Sequence, residues 1–160
     1  MARKKSQNQQ AVQNSIKTLL ANIRFASVDN PVRTLVVTST VPNEGKSTIA
    51  AQLAQAIAAG GKSVLIVECD MRRRSLAGMF NVHPEVGLHA VLADEEPLNQ
   101  AIVALPQQGL YFLDAEPHIP NPPDLLSSKR FGRFIGMVSR EFDYVLFDTP
   151  LFHWFSTADR

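Results

Sequence analysis

Residues 38–48 read TSTVPNEGKST, and this segment is the strongest indication of the fold in the chain. An apolar run rich in β-branched residues precedes it (34–37, TLVV), and a run typical of a helix follows it (49–59, IAAQLAQAIAA). A strand, a Gly-Lys-Ser-Thr loop and a helix in this order predict a loop that binds the phosphates of a nucleoside triphosphate. The alternative, a chance Gly-Lys-Ser in an ordinary turn, is disfavoured by the matching context on both sides.

The chemistry of this loop follows from its backbone. A loop that enters a helix N-terminus directs several N–H groups at one point, and the helix dipole favours an anion there. We expect Gly45 to let the backbone approach phosphate, Lys46 to supply a positive charge and Ser47 to offer a hydroxyl to Mg²⁺. Asn43 tolerates the left-handed backbone that such loops need, whereas Thr40 stands where the general template has glycine. The candidate nucleotide-binding residues are Pro42, Asn43, Glu44, Gly45, Lys46, Ser47 and Thr48.

Composition limits the classes of function. The chain has 160 residues with 45% hydrophobic residues, enough for one domain with a substantial core. The net charge of +1 provides no basic field for nucleic acid, so no nucleic-acid partner is expected. The single cysteine, Cys69, argues against a disulfide framework and favours a reducing compartment. The N-terminus lacks the apolar centre of a secretion signal, so we expect a cytoplasmic protein that can still dock on a membrane protein.

The pattern along the chain predicts an α/β fold with a mostly parallel sheet. Residues 1–10 are polar and Gln-rich and are expected to form a disordered tail, whereas 11–160 form the domain. Apolar residues recur at helical spacing from 11 to 26. The remaining expected elements are strands at 34–37, 63–67, 110–113 and 144–147, helices at 49–59, 75–80, 86–93, 97–105 and 124–140, and a loop at 116–123. Sites in such folds lie at the carboxyl ends of the strands.

Carboxylates follow two of these strands. Asp148 ends one, and Glu68 and Asp70 end another, where alternation would place both side chains on the same side. Mg²⁺ needs a carboxylate nearby, usually through water, so Ser47, Asp70 and Asp148 are the candidate metal ligands. Each acid alone is explained as well by a helix cap or a loop. Together with the phosphate loop, they favour a functional role for Asp70 and Asp148.

Three consecutive arginines, at 72–74, follow the second acidic segment. Two interpretations remain open for them. They form a solvated cluster, or they contact phosphate or an acidic surface of a partner.

Four segments together resemble a known family. They are the phosphate loop, 64–72 (VLIVECDMR), 120–128 (PNPPDLLSS) and 145–150 (VLFDTP). In this order they resemble the cytoplasmic catalytic domain of the bacterial tyrosine kinases of capsule and exopolysaccharide biosynthesis, which are related to deviant P-loop ATPases. The resemblance covers residues 11–150 and implies a P-loop NTPase-like fold.

The resemblance also implies an activity, namely autophosphorylation on tyrosine with ATP and Mg²⁺. In this chain Lys46 would hold phosphate, Ser47 and Asp148 would hold Mg²⁺, and Glu68 and Asp70 would assist metal binding and deprotonate tyrosine. The catalytic candidates are therefore Lys46, Glu68 and Asp70. The implied partners are a membrane activator that resembles a polysaccharide chain-length regulator and further copies of the chain in a homo-oligomer. The implied location is the inner face of the plasma membrane.

The chain departs from this family at several places. Glu68 replaces an aspartate, and Asn14, Lys17 and Leu20 replace a Glu-x-x-Arg-x-x-Arg pattern used in ring assembly. A C-terminal tyrosine cluster is absent, and the chain stops at Arg160 after a short apolar stretch. We therefore expect a truncated domain that lacks its last strands and is weakly active.

Two other functions fit the same loop. A partitioning-type ATPase switch usually carries an additional lysine early in the loop, and none stands near Thr40. A nucleotide-binding adaptor without catalytic activity is the second alternative, since the tyrosine cluster is missing.

Overall fold

The computed structural model describes residues 2–119 and 121–150. In chain order the elements are α1 Ala2–Ala26, β1 Thr34–Val37, α2 Lys46–Ala59, β2 Val64–Glu68, α3 Leu76–Phe80, α4 Leu88–Leu92, α5 Leu98–Ala101, β3 Ile102–Ala104, β4 Leu110–Leu113, α6 Pro122–Leu126, α7 Lys129–Glu141 and β5 Tyr144–Asp148. No helix within the described ranges is both long enough and apolar enough to cross a bilayer.

The strands form one sheet in the order β1-β5-β2-β4-β3. β1, β5, β2 and β4 are parallel to one another, and β3 pairs antiparallel with β4 at the edge. The register sets Asp148 opposite both Val37 and Glu68, so the ends of β1, β5 and β2 meet. The predicted fold class, a mostly parallel sheet flanked by helices, is confirmed.

Apolar side chains cover both faces of the sheet. On one face, α1, α2 and α3 pack over Ile66, Phe112 and Leu146. On the other face, α4, α5 and α7 pack over Leu65 and Val145. Because β2 is buried on both faces, it reads as a continuous apolar run rather than an alternating one. The central strands are thereby held rigidly, and their carboxyl ends have fixed positions.

Three elements differ from the sequence-based expectations. The segment 97–105 is not one helix, because α5 ends at Ala101 and the β-branched pair Ile102–Val103 enters the edge strand β3. The segment 124–140 is divided into α6 and α7, since Ser128 caps α7 by accepting a hydrogen bond from Phe131 N. Helix α6 also begins at Pro122, inside the predicted loop, where proline is favourable in a first turn.

The N-terminal helix is longer than its apolar pattern predicts. It starts at Ala2, so the helix continues through the segment expected to be a disordered tail. Ala, Arg, Lys and Gln dominate this segment, and all have high helix propensity. The apolar stretch that follows Pro150 lies outside the described residues, so the expectation of missing strands stays a prediction.

Candidate active site

The phosphate loop adopts the strained backbone that its sequence predicts. Asn43 and Gly45 both have positive φ angles, of 65° and 84°. Gly45 is the N-cap of α2, whose first regular hydrogen bond runs from Ile49 N to Gly45 O at 2.9 Å. Among the described residues, no side chain caps this helix start. Its first N–H groups therefore remain available to bind an anion.

Three predicted residues meet behind this loop. Lys46 Nζ lies 2.5 Å from Asp148 Oδ1 and 4.0 Å from Asp70 Oδ2. The side chains of Lys46, Asp70 and Asp148 are 9%, 11% and 0% exposed. They come from the start of α2, the turn after β2 and the end of β5, so the sheet order alone brings them together.

Asp148 has one carboxylate oxygen available for a further partner. Oδ1 is paired with Lys46, whereas Oδ2 is buried and accepts no hydrogen bond from the described residues. An orphaned buried oxygen beside a phosphate-binding loop suits a metal-bound water, because Mg²⁺ is held largely through its own water shell. With Ser47 partly exposed in the first turn of α2, this set of oxygen donors fits Mg²⁺.

Asp70 is oriented by the turn that carries it. Its Oδ1 accepts hydrogen bonds from Arg72 N at 3.3 Å and from Arg73 N at 3.0 Å. The other oxygen, Oδ2, is the one nearer Lys46. The carboxylate is thus fixed by one oxygen and offers the other to the site.

Glu68 has different hydrogen-bond partners from Asp70. Its Oε1 accepts from Asp70 N at 3.1 Å, and its Oε2 accepts from Ser75 N and Leu76 N at 3.0 and 3.2 Å. Lys46 pairs with Asp70 and Asp148 in the described part of the chain, and Glu68 is not among its partners. Burial raises the pKa of Glu68 to about 7 against the opposing effect of the backbone donors, with the nearby Asp148 charge adding to the rise. Its carboxyl group therefore holds the loop that positions Asp70.

The other loop candidates are more exposed. Pro42, Asn43, Glu44 and Thr48 are solvent-exposed, and the segment 45–47 is partly buried. The exposed residues shape the loop, and the partly buried segment forms its floor.

Two structural acids near the site were not singled out from the sequence. Asp114 follows β4, is buried and forms an ion pair with Arg74. Glu116 accepts hydrogen bonds from the N–H groups of Gly87, His89 and Ala90 at the start of α4. The same signal that identified Asp148, an apolar strand followed by an acid, also precedes Asp114.

Comparison of the sequence with known proteins identifies the family. Residues 32–153 match the family described as AAA domain. The tyrosine-protein kinase YwqD of Bacillus subtilis is 40% identical over 134 residues, which cover 84% of this chain and 56% of YwqD. The tyrosine-protein kinase Etk of Escherichia coli K12 is 29% identical over 136 residues, which cover 85% of this chain and 19% of Etk. The chain thus spans just over half of one relative and about a fifth of the other.

Solved structures agree with the sequence comparison. The chimerical protein CapA2B2 superposes with a TM-score of 0.82 at 34% identity, over 87% of this chain and 61% of that one. The kinase domain of Escherichia coli Etk superposes with a TM-score of 0.82 at 28% identity. The superposition covers 87% of this chain and 55% of the Etk chain. The septum site-determining protein MinD of Pyrococcus horikoshii, complexed with Mg-ADP, superposes with a TM-score of 0.65 at 25% identity. The superposition covers 74% of this chain and 49% of the MinD chain. The chain therefore belongs to the AAA domain family and shares its fold with the kinase domains of bacterial tyrosine kinases.

Proposed function

We propose that the chain binds ATP with Mg²⁺ and transfers the γ-phosphoryl group to a tyrosine hydroxyl. The observation that carries this proposal is the position of Lys46 at the start of α2, between the carboxylates of Asp70 and Asp148. A cation for the phosphates and acids for a metal ion and a proton are the components that phosphoryl transfer requires. The similarity to proteins named tyrosine-protein kinases supports tyrosine as the acceptor.

Each residue of the candidate site has a separate role in the proposed phosphoryl transfer. The N–H groups at the start of α2 and the ammonium group of Lys46 hold the β- and γ-phosphates. Ser47 and Asp148 would hold Mg²⁺, which would supply positive charge to the phosphate oxygens. Asp70 accepts the phenolic proton through Oδ2. The phenolate oxygen bonds to the γ-phosphorus, the bond from that phosphorus to the β–γ bridging oxygen breaks, and its electron pair leaves with ADP.

Asp70 is a better proton acceptor than Glu68. Asp70 keeps one oxygen toward the site, whereas both oxygens of Glu68 accept backbone hydrogen bonds. We therefore assign Asp70 the role of base and Glu68 the role of a positioning residue. The extra methylene of Glu68, relative to the aspartate of the family pattern, lets its carboxylate reach the N–H groups of Ser75 and Leu76.

The biological setting is part of the proposal. The resemblance of the four motifs supports a role in capsule or exopolysaccharide synthesis, at the inner face of the plasma membrane. A membrane activator of the chain-length-regulator type and a homo-oligomer are the partners that this setting implies.

A phosphotransfer assay tests the activity. The purified chain is incubated with γ-labelled ATP, Mg²⁺ and a tyrosine-containing copolymer, and phosphotyrosine is identified by mass spectrometry. We expect phosphotyrosine with the wild type and with the control Lys62→Ala, whose exposed side chain lies before the start of β2, whereas the candidate site lies at the carboxyl end of that strand. We expect none with Lys46→Ala. Nucleotide binding without any phosphotyrosine would instead favour the adaptor, and hydrolysis to ADP and phosphate alone would favour the ATPase switch.

A further inference from the structure

A large groove opens beside the candidate active site. It has a volume of about 840 Å³ and lies between residues 71–74 on one wall and 117–119 with 121–123 on the other. We call it the arginine groove. None of the roles assigned so far to Lys46, Asp70 or Asp148 uses it.

The arginine groove is joined directly to the reacting groups. Its first wall begins at the residue after Asp70, and the N–H groups of Arg72 and Arg73 bind Asp70 Oδ1. Arg73 Nη1 also donates to Asn43 Oδ1 at 3.4 Å, which connects this wall to the phosphate loop. The first wall of the groove and the carboxylate of Asp70 therefore belong to the same turn.

The charges in the groove are of one sign. Arg74 is paired with Asp114, but Arg72 and Arg73 are exposed and form no ion pair with any described residue. Among the described residues, those that line the groove include no carboxylate. Guanidinium groups in this situation favour carboxylate partners, which they bind by paired hydrogen bonds. Two unpaired arginines in a chain of net charge +1 are too few to hold a nucleic-acid backbone.

The opposite wall contains apolar, stiff residues beside the polar side chains of His118 and Asn121. Prolines at 117, 122 and 123 line it together with Ile119. Proline rings present flat apolar surfaces with little conformational freedom, so an aromatic ring can pack on them at a small entropic cost. The groove thus combines proline rings, on which an aromatic side chain can pack, with guanidinium groups that can pair with carboxylates next to that side chain in the sequence.

We propose that the arginine groove binds the segment that carries the acceptor tyrosine and selects segments with Asp or Glu beside it. This inference rests on the proposed tyrosine kinase function and adds the chemistry of the acceptor. Arg72 and Arg73 are specificity-determining residues that pair with the flanking carboxylates, and the proline wall supports the phenol ring.

Peptide binding tests the proposal separately from catalysis. Two short fluorescent peptides carry a central tyrosine flanked by Glu in one and by Gln in the other. Anisotropy titrations into the chain with Mg²⁺ and a non-hydrolysable ATP analogue give both dissociation constants. We expect the Glu peptide to bind about threefold to tenfold more tightly, as two exposed ion pairs would give. Arg72→Ala leaves Arg73 in place and should reduce this preference to about twofold to threefold, whereas Arg140→Ala, which removes an exposed arginine at the far end of α7, should preserve it.

The outcomes separate this proposal from the kinase assignment. A charge preference that is reduced in Arg72→Ala, with an unchanged dissociation constant for the ATP analogue, supports the groove even if no phosphotyrosine forms. Equal binding of the two peptides overturns the proposal, even if phosphotyrosine does form. The proposal is also overturned if Arg140→Ala reduces the charge preference as much as Arg72→Ala does. It is overturned as well if Arg72→Ala weakens nucleotide binding as much as it weakens peptide binding. Unchanged urea unfolding confirms that each variant is folded.

Discussion

Lys46 Nζ and Asp148 Oδ1 lie 2.5 Å apart, although the two residues are separated by 102 positions in the chain. The contact follows from the pairing of β1 with β5, which sets Val37 opposite Asp148 just before the phosphate loop begins. Asp148 is fully buried, so its charge depends on Lys46 for compensation. The same pair therefore contributes to the candidate site and to the stability of the fold.

Removing the cation of this pair should destabilise the protein. Lys46→Met leaves a buried carboxylate uncompensated, and we expect the free energy of unfolding to fall by about 3 kcal/mol. Urea unfolding followed by circular dichroism measures this change. The double variant Lys46→Met with Asp148→Asn should recover part of the loss, because the buried side chain at position 148 then carries no charge. Equal stability of the wild type and Lys46→Met would show that the pair is not buried as described.

The buried carboxyl group of Glu68 should make stability depend on pH. Burial raises its pKa from 4.5 to about 7, so the native state holds the proton more tightly than the unfolded chain. This contribution is fully present below pH 4.5 and is lost as the pH rises to 7, which lowers the free energy of unfolding by about 3 kcal/mol. Urea unfolding between pH 4.5 and 7.5, in magnesium-free buffer, measures the slope.

The variant Glu68→Gln isolates this effect. It cannot titrate, so its free energy of unfolding should lack the decline assigned to Glu68. The exposed residue Glu141 provides the control, since Glu141→Gln should keep the wild-type slope. Identical slopes in the wild type and Glu68→Gln would contradict the raised pKa.

Asp70 should matter for the transfer step more than for nucleotide binding. Asp70→Asn keeps an oxygen for the N–H groups of Arg72 and Arg73 but cannot accept the phenolic proton. We expect kcat for phosphotyrosine formation to fall by about 10²–10⁴-fold, the usual range for a general base. Steady-state kinetics and ATP titration measure the two effects. The control is Asp94→Asn, which changes an exposed acid whose left-handed backbone suits asparagine and which should keep the wild-type kcat. Full activity in Asp70→Asn would show that Asp70 is not the base.

Two glycines should respond to alanine in opposite directions. A Cβ at Gly87 would collide with the backbone carbonyl of Asp114, so Gly87→Ala should cost about 1–3 kcal/mol. A Cβ at Gly136, inside α7, meets no atom within 4 Å. Gly136→Ala should therefore stabilise the protein by about 0.5–1 kcal/mol through helix propensity. Thermal unfolding of both variants checks the two signs, and a stable Gly87→Ala would contradict the tight approach of the two segments.

Much of the site could be predicted because the carboxyl ends of neighbouring parallel strands lie side by side. An apolar run followed by an acid identified Asp148, and the phosphate loop identified Lys46. The sheet order then brought these residues together without any further signal. Local patterns suffice where the fold class itself determines which ends meet.

The role of Glu68 could not be predicted in this way. Alternation along a strand places Glu68 and Asp70 on one side, but β2 ends at Glu68 and the chain turns at once. The alternation rule stops at that turn, and the two carboxylates accept hydrogen bonds from different N–H groups. The direction of Glu68 depends on the N–H groups of Ser75 and Leu76, whose position is set by tertiary packing of α3.

Edge and terminal elements were also beyond local patterns. Strand β3 has only three residues, too few for an alternating pattern to separate it from the helix before it, although its β-branched pair Ile102–Val103 suits a strand. The first turns of α1 contain good helix formers without an apolar face, so periodicity gave no signal for them.

Titration calorimetry of ATP into the chain, with Mg²⁺ and then with EDTA, tests the central claim most directly. We expect saturable binding with Mg²⁺, weakened by about tenfold or more in EDTA, in Lys46→Met and in Asp148→Asn, since each change removes a charged partner. Binding that is absent from the wild type, or that is indifferent to Mg²⁺ and to both substitutions, would contradict a nucleotide site built on Lys46 and Asp148.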